Sequence, residues 1–94
     1  MNTPALTCST ATIEALLGEA LEPTTLEVID ESADHIGHAG SNGQGFGTHF
    51  RIRVASPKFA GTSRVAQHRL VYDPLQPLMA IGLHAIAIEV LPTP

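Results

Sequence analysis

The chain has 94 residues, 44% of them hydrophobic and 15% charged, with a formal net charge of −4. That length holds one small domain with no room for a second, and the composition is that of a folded chain, not a disordered one. The acid excess argues against nucleic-acid binding driven by charge, and no stretch approaches the roughly twenty apolar residues that span a bilayer, so a soluble cytoplasmic protein without membrane contact is the expectation.

Residues 1–9 read as a flexible lead-in, and residues 10–91 as the domain. The start has no basic segment followed by a long apolar run, so it does not read as a signal peptide. The lead-in carries Cys8, the single cysteine. One cysteine excludes an internal disulfide and any cysteine-based zinc site, and no basic neighbour in sequence would activate it.

Ile13, Leu16, Leu17, Ala20 and Leu21 form the apolar stripe of an amphipathic helix, capped by Thr10 or Thr12 and ended by Pro23. Thr25 to Ile29 is a first strand, with Leu26 and Val28 alternating against Thr25 and Glu27. Residues 31–48 hold five glycines and no sustained periodicity. They predict a long loop, a kind of segment usually functional or mobile.

His49 to Ala55 alternates cleanly, placing Phe50, Ile52 and Val54 on a buried face and His49, Arg51 and Arg53 on a wet one. Ser56-Pro57 stops this second strand and Gly61 permits a tight turn. Thr62 or Ser63 caps a helix through Tyr72, and Asp73-Pro74 restarts a short further helix with Leu75, Leu78 and Met79 inward. His84 to Val90 is the last strand.

The predicted order is αββααβ, an α+β domain with a three-stranded mixed sheet covered by helices on one face. The helical crossover between the second and third strands fits a parallel pair. Parallel pairing would set His84 beside the first residue of the second strand, at the edge where the glycine-rich loop ends.

Imidazole ligates iron, zinc or copper when neutral. His84, opening an apolar strand, and His35 and His38, in the loop, are therefore candidate metal ligands, and topology can bring the two groups together. The plainer reading of His84 is a partly buried, hydrogen-bonded strand-end histidine. For His35 and His38 it is solvent-exposed loop polarity. His49 reads as a surface residue and His68 as a structural hydrogen-bonder. Gly37-His-Ala-Gly40 spells G-x-x-G but lies between strands, where neither a phosphate loop nor a KH clamp places it. No nucleophile elbow, paired carboxylate motif or complete metal site supports catalysis, so a binding module is expected in place of an enzyme.

The ordered set Asp30-Glu31-Ser32 followed by His35, Thr48-His49-Phe50, Phe59-Ala60-Gly61, His68-Arg69-Leu70-Val71-Tyr72 and Leu83-His84-Ala85-Ile86-Ala87-Ile88 resembles the BolA family. Each motif alone is weak and the order makes the set specific. The resemblance implies a class II KH-like fold and partnership with a monothiol glutaredoxin, with or without a bridging 2Fe-2S cluster. Such a cluster would be shared with the glutaredoxin and glutathione, and none is expected in the isolated chain. The family's C-terminal histidine ligand falls on His84, and its loop ligand on His35 or His38.

The resemblance also implies, for some bacterial members, transcriptional regulation. Here a DNA-binding alternative would use Arg51, Arg53, Lys58, Arg64 and Arg69, bunched within residues 51–69. Gln67 stands where many members have arginine, and Thr62 where many have lysine, which thins that basic patch.

Overall fold

A computed structural model describes residues 7–32 and 49–92. The elements run α1 (Thr10–Leu21), β1 (Thr25–Asp30), β2 (His49–Ala55), one 3-10 turn (Pro57–Phe59), α2 (Arg64–Met79) and β3 (Ala85–Val90). The architecture is the expected α+β domain with a three-stranded mixed sheet.

Helix α1 is capped by Ser9, whose hydroxyl accepts the Thr12 N–H at 3.2 Å. The cap thus lies ahead of the threonines that the sequence suggested. Ile13, Leu17 and Leu21 recur four apart and are fully buried. Glu22 ends the helix in the left-handed region at φ 47°, its N–H reaching the Gly18 carbonyl. Pro23 then forbids continuation.

The strands order as β1-β2-β3. β1 pairs antiparallel with β2, Thr25 opposite Ala55 through Asp30 opposite Phe50. β2 pairs parallel with β3, His49 opposite Ala85 through Val54 opposite Val90. Phe50, Ile52 and Val54 are buried as their alternation predicts, and pack with the α1 stripe, Phe59, Val71, Leu75, Leu78 and Leu83 in one core. At the far end of β2 the buried Ser56 hydroxyl donates to the Leu21 carbonyl at 2.6 Å and accepts the Lys58 N–H at 3.1 Å. That one side chain fastens the end of α1 to the turn after β2.

The segment after Gly61 corrects the sequence reading. Ser63 caps it as expected, accepting the Ala66 N–H at 3.1 Å. A single helix then runs through Pro74 and Pro77, where two helices were predicted. Each interior proline removes a helical hydrogen bond and costs about 3 kcal/mol or more. Val71, Leu75 and Leu78 nevertheless form one buried stripe across the predicted break. Burying each contributes about 1.5–3 kcal/mol, so the core holds the helix straight through a local stop signal. Gly82, at φ 133°, makes the reversal into β3 that a side chain would resist.

Cys8 packs half-buried against the core, its thiol 3.5 Å from the Leu78 carbonyl. Burial pushes the thiol's pKa above its ordinary value, partly opposed by the backbone N–H of Leu83. Less thiolate at neutral pH means slower chemistry. An aromatic disulfide reagent is therefore expected to react with the native chain about tenfold more slowly than with the urea-unfolded chain. Equal rates would show an accessible, unperturbed thiol.

Candidate metal centre

Parallel pairing brings two histidines to one end of the sheet. His49 opens β2 and His84 immediately precedes β3, which starts one residue later than the sequence predicted. Their ring centroids lie 5.3 Å apart with planes inclined at 54°. His84 is exposed and His49 is only 8% exposed. The expectations of a surface His49 and a part-buried His84 are thus reversed. Alternation correctly assigns His49 to the face away from the helices, but it cannot show that His84 and the stem of the preceding loop cover that position.

The stem is built from Asp30-Glu31-Ser32. The buried Ser32 hydroxyl accepts the His49 N–H at 2.9 Å and donates to the His49 carbonyl at 3.4 Å. The same carbonyl accepts the Glu31 N–H at 2.8 Å, and the Asp30 carboxylate accepts the Ser32 N–H at 2.9 Å. Two points of the chain seventeen residues apart are thereby clamped together, with His49 at the clamp. In the sequence Ser32 stands out only within Asp30-Glu31-Ser32, and no local pattern signals a contact with a strand seventeen residues on. Ser32→Ala removes the hydroxyl from a buried site and is expected to cost about 1–3 kcal/mol in urea unfolding, with faster amide exchange at His49. A variant as stable as the parent, with unchanged exchange, would assign the clamp to other bonds.

His35 and His38 lie outside the described residues, as does the Gly37 to Gly40 stretch. Among the described residues no three histidine, cysteine, aspartate or glutamate side chains converge as a metal site. A hollow of about 210 Å³ adjoins the histidine pair, lined by Glu31, His49, Phe50, Arg51 and Ala85 to Ala87.

The basic residues do not gather into one surface. On the open face of the sheet, Arg51 Nε meets Glu31 at 3.0 Å and its terminal nitrogen meets Glu89 at 3.7 Å. The hydrogen bond that Arg51 donates to Glu31, with the charge of that carboxylate, raises the Arg51 pKa above its ordinary value. Arg53 meets Glu27 at 3.4 Å and Glu89 at 3.1 Å. Such half-exposed pairs stabilise little individually, but they occupy both arginines with carboxylates. Lys58 donates to the Ala20 carbonyl at the end of α1. Arg64 and Arg69 lie on α2, both exposed. His68 is half-buried on α2 and makes no hydrogen bond among the described residues, unlike the structural role expected of it.

Residues 17–94 match the family model described as BolA-like protein. The chain is 52% identical over 81 residues to an uncharacterized protein in the cobS 5′ region of a Sinorhizobium species, covering 85% of this chain and 86% of that protein. It is 47% identical over 79 residues to SufE-like protein 1, chloroplastic/mitochondrial, of Arabidopsis thaliana, covering 81% of this chain and 21% of that longer protein. Among solved structures, the BolA domain of SufE1 from Arabidopsis thaliana superposes with a TM-score of 0.77 at 41% identity, covering 92% of this chain and 93% of that one.

Proposed function

The chain belongs to the BolA-like family, and we propose that it is an adaptor, not an enzyme, that binds a monothiol glutaredoxin as a heterodimer and co-ligates a bridging 2Fe-2S cluster. Its setting would be iron–sulfur assembly, cluster trafficking or iron regulation. The observation that carries this reading is the exposed His84 ring, held 5.3 Å from that of His49 where the loop stem meets the sheet. Imidazole suits iron, and two nitrogens with two sulfurs form the mixed ligation of Rieske centres. A chain that offers imidazoles, and whose single cysteine Cys8 packs against the core at Leu78, suits a cluster completed by a glutaredoxin thiolate and glutathione. The stretch matched within a SufE-like protein supports an iron–sulfur setting.

His84 supplies one nitrogen in this reading, and His35 or His38 the second. Ser32 is fixed at the clamp, His35 follows three residues on and His38 six. Chain segments of those lengths span at most roughly 11 and 22 Å, which leaves both histidines within reach of the site. His49 stands beside His84, its ring 5.3 Å away. When bound, the cluster would supply an exchangeable iron–sulfur unit. This chain's part is to present nitrogen donors and a docking surface.

The alternative, a DNA-binding regulator using α2 and the basic face of β2, is weakened by Glu27, Glu31 and Glu89, which engage both β2 arginines. Co-expression with a monothiol glutaredoxin tests the leading reading. A coloured heterocomplex on size exclusion is the expected result, with a colourless chain when it is purified alone. Failure to form any complex would overturn the proposal.

A further inference from the structure

The inward face of α2 changes character along its length. Val71, Leu75 and Leu78 are buried in the core, but the same face carries Arg64, Gln67 and His68 over its first turns. These polar side chains face Ile88 and Val90 of β3 across a hollow of about 390 Å³. A second hollow of about 440 Å³ continues from it, sharing Gln67 and Val90 and extending to Phe59, Leu91 and Pro92. Apolar residues at positions 64 and 68 would have continued the buried stripe of Val71, Leu75 and Leu78 over this part of β3. Instead Ile88 and Val90 stay half-exposed, whereas Ile52 and Val54 beside them are fully buried.

The edge beside this groove is also open. β3 is the last strand of the sheet, and no described strand pairs with its outer side. Its alternate N–H and C=O groups there form a template for another extended chain.

Charge points to the kind of chain. Arg51 and Arg53 are engaged by carboxylates, but Arg64 has no ion pair among the described residues. It stands at the first position of α2, where the positive end of the helix dipole adds to its own charge. Gln67 is tied back to the Phe59 and Thr62 carbonyls, which leaves Arg64 and His68 to meet an anion. One carboxylate matches that donor set.

We infer that the groove between the first turns of α2 and the outer edge of β3 receives an extended peptide segment of a partner protein. An acidic side chain of that segment meets Arg64 and His68, an apolar side chain fills the second hollow, and its backbone pairs with β3. Single-stranded nucleic acid fits less well, because its closely spaced phosphates need several cations and it has no backbone to pair with a strand edge. The inference does not rest on the cluster reading. Val90 stands five residues beyond Ala85 on β3, roughly 17 Å along the strand from the histidine end, so the groove and the histidine site are distinct.

Selection of a displayed library of short random peptides on the intact chain tests this. Enriched peptides are expected to carry one acidic residue with an apolar residue two positions away. They should shift the amide resonances of Arg64, His68 and Val90 and slow amide exchange along β3. Arg64→Glu, at an exposed position, should weaken the selected peptide about tenfold, while Arg69→Glu, the same charge change outside the groove, should alter it by less than about twofold. Either no enrichment, enriched peptides lacking acidic residues, or equal losses in both variants would overturn the inference. Tighter binding of a single-stranded oligonucleotide of the same length to the same residues would overturn it in favour of a nucleic-acid site.

Discussion

Replacing His84 by alanine is expected to strip the proposed glutaredoxin heterocomplex of its cluster while leaving the fold intact. His84 is exposed, lies just outside β3 and makes no hydrogen bond among the described residues, so its removal should change stability by no more than about 0.5 kcal/mol. Its nitrogen is a different matter. Changes in the shell behind a metal ligand already cost roughly 10–100-fold in affinity, and loss of the ligand itself should exceed that. His35→Ala and His38→Ala are expected to be milder singly and severe together, the pattern of two loop histidines that substitute for one another. Visible absorption and circular dichroism of the co-purified complexes read these differences. A His84→Ala complex with the parent spectrum and cluster lifetime would reduce the residue to a strand-end histidine without a ligand role.

The largest loss of stability is expected at Phe50. It is 2% exposed, sits on the helix face of β2 between Asp30 and Ile86, and directly follows His49. Phe50→Ala removes a buried ring and leaves a cavity in the core, at a cost of about 3–5 kcal/mol. Small domains often have only about 5–15 kcal/mol in total, so the variant should be partly unfolded at ordinary temperature. Val65→Ala, on a side chain 68% exposed, is the matched control and should change stability by less than about 0.5 kcal/mol. Urea midpoints measured together test both. Similar midpoints would mean that the core is not organised around β2.

The strand alternation of β2 was legible in the sequence because one face packs on helices and the other does not, which writes a period of two into the residues. The parallel crossover was legible as well, from the helical length between β2 and β3. It carried the juxtaposition of His84 with the start of β2, and hence with His49. The burial of His49 was hidden because period two assigns a face and says nothing of what lies over it. The continuity of α2 was hidden for a related reason. Asp73-Pro74 is a genuine local start signal, and only the three-dimensional stripe of Val71, Leu75 and Leu78 overrides it.

Charge was legible in amount but not in engagement. The bunching of five cations within residues 51–69 suggested a basic face. Strand register then set Glu27 and Glu89 on either side of Arg53, pairings that no linear spacing displays. The polar turns of α2 that leave Ile88 and Val90 half-exposed were likewise invisible until the helix was laid on the sheet.

Pulsed electron paramagnetic resonance on the reduced heterocomplex, with isotope-labelled histidine in this chain and none in the glutaredoxin, decides whether histidines of this chain ligate the cluster. The predicted result is strong hyperfine coupling from labelled nitrogen to the cluster, lost or reduced in His84→Ala. A cluster with the same iron content and no coupling to labelled nitrogen would be held by sulfur alone and would contradict ligation by this chain's histidines.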